Sequence, residues 1–101
     1  MLIKVRFFGS IRELTKEKWM VIELPENSSI LDLIKELSNK IHPALMEKLV
    51  KEDRKLNPDF SILLNGRNIV HLNGLSTKLR NEDTVSIFSV AGGGQNIYNA
   101  N

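Results

Sequence analysis

The chain has 101 residues, of which 42% are hydrophobic and 26% are charged; its net charge is +2, and it contains no cysteine. This length and balance fit one globular domain with a single core, and they exclude a disordered chain. The lack of cysteine excludes disulfides, thiolate nucleophiles and cysteine-based metal sites.

The sequence also argues against membrane and nucleic-acid partners. No apolar run reaches the roughly 18 residues of a membrane span, and the N-terminus lacks the apolar segment of a signal peptide. Basic and acidic residues are interspersed, as in Lys51–Lys55, which is typical of a solvated surface rather than a nucleic-acid interface. We therefore expect a cytoplasmic protein with no membrane and no nucleic-acid partner.

Two segments of alternating polarity open the chain. In residues 2–8 every second side chain is apolar, which predicts a half-buried strand. Phe8 breaks this alternation because it falls on the polar face. Residues 18–24 alternate in the same way and predict a second strand. The loop of about nine residues between them predicts a hairpin with a long, ordered connection.

The next predicted element is a helix. Ser29 and Asp32 have the spacing of a capping box, in which each residue satisfies a backbone amide of the other. Apolar residues then recur at helical spacing, forming one stripe: Ile30, Leu33, Ile34, Leu37 and Ile41. His42-Pro43 ends the helix. A shorter helix is predicted over residues 44–50, with Pro43 at its first position, and residues 51–59 are predicted to form a loop.

Three further strands are predicted in the C-terminal part. Residues 60–64 form an apolar segment that is followed directly by Asn65-Gly66, the strongest short hairpin signal. The returning strand is predicted over residues 67–72. Leu75 and Leu79 flank a polar stretch and are expected to cover the end of the core. After a turn, residues 84–90 predict the last strand.

The predicted order is strand, strand, helix, strand, short strand, strand. One helix with a single apolar stripe matches one sheet with one buried face, which is a two-layer α+β domain. The first and last strands are the most apolar, so we expect them side by side at the centre of a mixed sheet, with the chain crossing over through the helix. This arrangement is the β-grasp, or ubiquitin-like, fold, with its sheet packed on one main helix.

Three consecutive glycines, Gly92–Gly94, follow the last predicted strand. Because they lack a Cβ, their backbone is hardly restrained. A glycine terminus can thread into a narrow channel of another protein, where an ATP-dependent enzyme could activate its α-carboxylate. The alternative is an inert, disordered end. The residues alone leave both interpretations open.

Few side chains are candidates for catalysis. His42 precedes a proline at a helix end and His71 lies in a short predicted strand, so we interpret both as structural or exposed. The sequence has no Gly-x-Ser-x-Gly elbow, no metal-ligand spacing of histidines and no helix after the glycines that would bind phosphate. We therefore expect no metal site and no enzyme that performs its own chemistry.

Three segments resemble the MoaD/ThiS family of ubiquitin-like sulfur carriers, and MoaD in particular. Residues 5–14 (VRFFGSIREL) are similar to the family pattern V-x-F-F-A-x-x-R-E-L. Residues 64–67 (LNGR) resemble the N-G-R hairpin of the family. Residues 79–93 (LRNEDTVSIFSVAGG) resemble the closing pattern L-x-x-G-D-x-V-x-x-F-P-P-V-A-G-G. The resemblance covers both ends of the chain and most of the predicted sheet.

The resemblance implies a sulfur carrier, the small subunit of molybdopterin synthase, which is an accessory subunit rather than an enzyme on its own. In that family a MoeB/ThiF-like enzyme uses ATP to adenylate the terminal glycine carboxylate, and sulfur replaces AMP to give a thiocarboxylate. The carrier then docks on the large subunit, MoaE, and its sulfur builds the dithiolene of molybdopterin. The carrier itself binds no cofactor, because ATP is used by the activating enzyme.

The same resemblance implies functional residues at the C-terminus. Gly93 aligns with the terminal glycine of the family and Gly94 lies one position beyond, so one of them is expected to carry the adenylate and the thiocarboxylate. Partner contacts are implied for Phe88 and for the residues around the tail: Val90, Ala91 and Gly92. Phe8 and Phe88 are candidate exposed aromatics of such an interface. The alternative is that both phenylalanines are ordinary core residues.

Two features depart from the family pattern. The Phe-Pro-Pro of the family is here Phe88-Ser89, which predicts a less rigid approach to the tail. Residues 95–101 follow the glycines and would block their carboxylate, so we expect a protease to remove this segment. We accordingly divide the chain into one domain with its glycine tail, residues 1–94, and a flexible extension, residues 95–101.

Two other functions stay open. A ubiquitin-like protein modifier, or a sulfur carrier for thiamin synthesis or tRNA thiolation, would use the same glycine chemistry on another acceptor. A β-grasp interaction module with an inert tail would use none of it.

Overall fold

The structure of the chain, a computed structural model, describes residues 1–90. The predictions for residues 91–101, including the domain boundary at residue 94, lie outside the described residues and stay predictions. The helices and strands, in chain order, are β1 (Leu2–Phe7), α1 (Ser10–Thr15), β2 (Trp19–Glu23), α2 (Ile30–Lys40), α3 (Ala44–Leu49), β3 (Phe60–Leu64), β4 (Arg67–Asn68) and β5 (Thr84–Ser89).

The five strands form one mixed sheet in the order β2-β1-β5-β3-β4. β1 and β5 lie at the centre and run parallel, with Val5 opposite Val85 and Phe7 opposite Ile87. The neighbouring pairs β1·β2, β3·β5 and β3·β4 are antiparallel. The most apolar strands are therefore central, where both edges are paired, and the prediction of an α+β, β-grasp fold is confirmed.

The main helix, α2, begins as the sequence predicts. The Ser29 hydroxyl accepts the Asp32 N–H at 3.2 Å, and the Asp32 carboxylate accepts the Ser29 N–H at 2.9 Å, which completes a capping box. The apolar stripe of α2 is buried: Ile30, Leu33, Ile34 and Leu37. Burying side chains of this size stabilises the fold by about 1.5–3 kcal/mol each, so the stripe fixes α2 on the sheet.

Two predictions for connecting segments need correction. The predicted strand over residues 67–72 is wrong, because β4 ends at Asn68 and a 3-10 turn follows at Ile69–His71. The Asn68 side chain accepts the N–H of Val70 at 3.0 Å and so favours the turn over a continued strand. The loop between β1 and β2 is ordered as predicted, but it contains the short helix α1, whose Ile11 is buried in the core.

The sheet has one covered face and one open face. Every second residue of β1 (Ile3, Val5 and Phe7) is fully buried beneath the helices. The residues between them, Lys4 and Arg6, are exposed on the opposite face. Among residues 1–90, no helix has the length and the apolar character needed to cross a membrane. The open face is therefore the part of the sheet on which a functional surface could lie.

Candidate functional site

A pair of aromatic side chains lies on the open face where β1 and β5 end. β1 and β5 are parallel and in register at Phe7 and Ile87, so the next pair along the two strands is Phe8 and Phe88. Their rings stack with centroids 4.6 Å apart and an angle of 8° between planes. Both side chains are half-buried and lie outside the hydrophobic core. The structure thus favours the prediction of exposed aromatics over that of core residues, and their role in binding stays a prediction.

Two arginines complete this group. The guanidinium carbons of Arg6 and Arg12 lie 5.2 and 5.3 Å from the centroid of the Phe8 ring. A guanidinium over an aromatic face is attracted by the ring quadrupole. The Arg12 Nε also donates a hydrogen bond to the Phe7 carbonyl oxygen at 2.9 Å, which fixes this side chain. We call Arg6, Phe8, Arg12 and Phe88 the aromatic–guanidinium cluster.

Apolar and positively charged groups continue from the cluster onto β2. Trp19 and Val21 are both more than half exposed, and the Lys4 ammonium lies 4.8 Å from the Trp19 ring. In the part of the chain that the structure describes, no carboxylate lies within 4.0 Å of the charged nitrogens of Lys4, Arg6 or Arg12. The open face therefore combines exposed apolar area with positive charge that has no acidic partner there, a combination that marks an interaction surface.

The chain leaves the sheet beside this cluster. On one side of β5, the Val90 N–H donates a hydrogen bond to the Asp59 carbonyl oxygen at 2.7 Å. On the other side, the Ser10 N–H donates to the Ser89 hydroxyl at 2.9 Å. Val90 itself is 46% exposed. Hydrogen bonds thus hold the chain up to Val90, two residues before Gly92.

Only part of the predicted site can be located. The structure brings Phe8, Phe88 and Val90 together at one end of the open face. The remaining predicted site residues lie outside the described residues: Ala91, Gly92, Gly93 and Gly94.

The two histidines lie apart from the cluster. The His42 Nδ1 accepts the Ala44 N–H at 3.1 Å and so stabilises the start of α3, and His71 is exposed in a 3-10 turn. Among residues 1–90, no group of three or more histidines and acidic residues is placed to hold a metal ion. Hydrogen bonding from the Ser29 backbone lowers the pKa of Asp32, which serves the cap of α2. What the described residues present at the end of β5 is a surface of stacked aromatic rings and guanidinium groups.

The sequence signals for this surface differ in strength. Arg6 could have been found, because it precedes Phe8 by two residues and so shares its face of β1. Trp19 likewise falls on the open face by alternation. Arg12 had no such signal, because its contact with Phe8 depends on the helix α1, which is too short for a periodic pattern.

Comparison with known proteins shows relatives along nearly the whole chain. A sequence profile of the ThiS family matches residues 5–94. Small archaeal modifier protein 3 of Haloferax volcanii is 32% identical over 92 residues, which covers 91% of this chain and 98% of the relative. An Archaeoglobus fulgidus protein named "Putative sulfur carrier protein" is 37% identical over 98 residues, covering 93% of this chain and 100% of the relative.

Solved structures agree with these relatives. A Haloferax volcanii protein solved in solution is similar with a TM-score of 0.80 and 32% identity, covering 92% of this chain and 87% of the other. A Pyrococcus furiosus protein named "Putative molybdopterin converting factor, subunit 1" gives a TM-score of 0.67 at 28% identity, with 87% and 95% coverage. The BexX/CysO complex of Amycolatopsis orientalis contains a chain of the same fold, at a TM-score of 0.75 and 24% identity over 91% of this chain and 99% of that one. In that structure the protein of this fold is part of a two-protein complex.

Proposed function

The chain belongs to the ThiS family of ubiquitin-like sulfur carriers and modifiers, and we propose that it is a sulfur carrier that serves as the small subunit of molybdopterin synthase. In this proposal the carboxylate of Gly93 or Gly94 is converted to a thiocarboxylate, which provides sulfur for the dithiolene of the molybdenum or tungsten cofactor. The partners are a MoeB/ThiF-like adenylating enzyme and a MoaE-like large subunit.

The observation that carries the proposal is that β5 ends beside the aromatic–guanidinium cluster of the open face. The central strand β5 ends at Ser89, Val90 is held by the Asp59 carbonyl oxygen, and Gly92 follows two residues later. A partner that docks on the aromatic–guanidinium cluster therefore lies beside the root of the glycine tail. Because glycine has no side chain, such a tail can enter a channel that would reject other residues.

The proposed chemistry is a transfer at the tail carboxyl group. A carboxylate oxygen of the terminal glycine attacks the α-phosphorus of ATP, pyrophosphate leaves and an acyl adenylate forms. Hydrosulfide then attacks the carbonyl carbon, AMP leaves with the bridging oxygen, and loss of the S–H proton gives the thiocarboxylate. The activating enzyme provides ATP and the catalytic groups, whereas this chain provides an unhindered carboxyl group and the surface that positions it.

Charge on the open face indicates what the partners present. Lys4, Arg6 and Arg12 have no carboxylate within 4.0 Å among the described residues, and the latter two lie over an aromatic ring. Guanidinium groups bind carboxylates through parallel hydrogen bonds, so acidic groups on a partner complement this face. The stacked rings and exposed Trp19 provide the apolar contact area.

A second function is favoured by one of the relatives. Small archaeal modifier protein 3, at 32% identity, is named as a modifier, and a modifier would attach the activated glycine to a lysine of another protein. The first step, adenylation of the glycine, is the same for both functions. They differ in the nucleophile that then attacks the acyl adenylate. This nucleophile is sulfur for the carrier and the amine of a lysine for the modifier.

Intact-mass spectrometry of the protein from its native host tests the carrier proposal. We expect a chain that ends at Gly93 or Gly94, with a fraction heavier by the exchange of one oxygen for sulfur. We also expect co-purification with a MoaE-like subunit. Isopeptide-linked conjugates without that subunit would instead support the modifier. A native chain that keeps residues 95–101 and that the adenylating enzyme does not activate would overturn both functions.

A further inference from the structure

The parallel ladder between β1 and β5 continues past the end of β1 through a side chain. The N–H of Lys4 donates to the carbonyl oxygen of Asp83 at 3.0 Å, and the N–H of Phe8 donates to that of Ile87 at 3.0 Å. Two residues further along both strands, the next donor in this register is Ser10. Its N–H donates at 2.9 Å to the side-chain hydroxyl of Ser89. Ser89 thereby adds one more hydrogen bond at a position where β1 has already turned into α1.

Gly9 provides the space that this hydrogen bond requires. Its φ of 63° and ψ of −138° lie in a region that only glycine adopts without strain. A Cβ at this position would overlap the hydroxyl oxygen of Ser89. The half-buried Ser89 side chain therefore lies against the Gly9 backbone, where its hydroxyl accepts the Ser10 N–H.

The opposite flank of the same residues is held by β3. Ser89 is paired with Phe60 in the antiparallel ladder, and the Val90 N–H donates to the Asp59 carbonyl oxygen at 2.7 Å. The last residues of β5 are thus fixed from both sides, by a backbone ladder on the β3 side and by the Ser89 hydroxyl on the β1 side. If the hydroxyl is removed, Ser89 and Val90 keep hydrogen bonds only on the β3 side.

We propose that Ser89 is a positioning residue whose hydroxyl sets the direction in which the chain leaves the sheet toward the glycines. This inference rests on the proposed function, because the direction matters when a docked enzyme must receive the terminal carboxylate. A fixed root reduces the conformational freedom that must be lost when the tail enters the enzyme. It also fixes the point from which the tail starts once the open face is bound.

The direction of the chain can be measured without any activity. The chain has no cysteine, so the substitutions Val90→Cys and Asn39→Cys give two unique sites for spin labels, one at the exit of β5 and one on α2. We compare the distance distribution between the labels in the full chain with that in Ser89→Ala. The expected result is a broader or shifted distribution. An unchanged distribution overturns the inference.

Two further variants distinguish a local effect at the end of β5 from a general loosening of the fold. Thr77→Ala removes the same kind of bond, in which a hydroxyl accepts the Asn73 N–H at 3.0 Å, away from the end of β5. It should leave the label distances unchanged. Ser89→Thr keeps a hydroxyl and should restore the distribution of the parent chain. If Thr77→Ala broadens the distribution as much as Ser89→Ala, Ser89 has only a structural role and the inference fails.

The kinetic consequence is tested with the chain ending at the glycine found by mass spectrometry and with the adenylating enzyme. ATP–pyrophosphate exchange should show kcat/KM about tenfold lower for Ser89→Ala, mainly through kcat, since docking on the open face is intact. Thr77→Ala should match the parent chain. An unchanged kcat/KM overturns the positioning role. If the parent chain is not adenylated at all, the proposed function fails, whereas the distance distributions still decide whether Ser89 sets the exit direction.

Discussion

The two faces of the sheet differ in what their side chains do, although they are built from alternate residues of the same strands. In β1, Val5 and Phe7 are fully buried beneath the helices, whereas Arg6 is exposed on the open face, and Phe8, directly after β1, is half-buried there. The period of two thus separates the residues that stabilise the fold from those that can meet a partner. A shift of one position along the strand therefore decides whether a phenylalanine packs in the core or lies on the open face.

The open face carries more apolar area than a solvated sheet face needs. Leu2, Trp19 and Val21 are each more than half exposed there, and Phe8 and Phe88 stack at the end of the face where Trp19 pairs with Arg6. Exposed apolar groups that are contiguous and rimmed by charge are typical of protein interaction sites. The comparison therefore predicts that substitutions on the covered face change stability, and that substitutions on the open face change binding.

Phe7→Ala and Phe8→Ala form the sharpest test of this difference, because the two residues are neighbours. Phe7→Ala should destabilise the protein by about 3–5 kcal/mol, since it leaves a cavity among fully buried side chains. Phe8→Ala should cost about 1–2 kcal/mol, from the lost stacking contact and the half-buried apolar area. Urea denaturation measures both. Similar losses for the two variants would show that the open face is also part of the core.

Gly9→Ala tests the border between the two faces. We expect a loss of about 2–3 kcal/mol, from the strain of a positive φ together with the overlap with Ser89. Gly66→Ala is the matched control, because its φ is also positive but no atom lies within 4 Å of the added Cβ. The control should cost about 1–2 kcal/mol, the strain alone. Thermal or urea unfolding should show that adding Ser89→Ala to Gly9→Ala restores part of the lost stability. If the double variant is no more stable than Gly9→Ala, the overlap with Ser89 is not the cause of the loss.

Reversal of charge on the open face should weaken binding and cost about 1–2 kcal/mol of stability, because Arg12 also donates to the Phe7 carbonyl oxygen and both arginines lie over the Phe8 ring. For Arg6→Glu/Arg12→Glu we expect binding to the adenylating enzyme to weaken about tenfold at low salt, equivalent to about 1.4 kcal/mol, and less at high salt. Lys48→Glu/Lys51→Glu changes the net charge equally at exposed positions away from the open face. Calorimetric titration at two salt concentrations compares the pairs. Equal weakening by both would indicate an effect of net charge alone.

Much of this architecture was predictable because its signals are local. The alternation in residues 2–8, the capping box of Ser29 and Asp32 and the Asn65-Gly66 hairpin each specify an element from a few neighbouring residues. The central pairing of β1 and β5 followed from their apolar character. These signals agree with one another, which is why the β-grasp fold could be inferred from them.

The parts that could not be predicted depend on contacts between distant residues. The strand over residues 67–72 failed because an Asn68 side chain competes with the ladder, and the sequence pattern did not signal this competition. The bond between Ser10 and Ser89 joins residues 79 positions apart, so no local pattern contains it. Because the chain lacks the family's prolines after Phe88, the sequence predicted a less rigid exit from the sheet. The hydrogen bond from the Ser10 N–H to the Ser89 hydroxyl restrains that exit instead.

The smallest expected effect concerns α2, the main helix on the covered face of the sheet, and it depends on pH. A hydrogen bond from the Ser29 backbone lowers the pKa of Asp32 below its ordinary value of 3.8. The charged form is therefore favoured in the folded state, and its contribution is present above pH 3.8 and is lost as the pH falls through the lowered value. Urea denaturation between pH 6 and about pH 2 should show a fall in stability that is smaller in Asp32→Asn.

Asp53→Asn is the control for this pH dependence, because the Asp53 carboxylate accepts a local backbone N–H but lies in the loop after α3. It changes the net charge as Asp32→Asn does, so a change in the fall that both variants share is not specific to the cap. A fall that is equally reduced by Asp53→Asn would contradict a specific role of the cap. Because Asp32 lies at the start of α2 and away from the open face, its substitution should leave binding at neutral pH unchanged. Loss of binding in Asp32→Asn would show that the two faces are coupled.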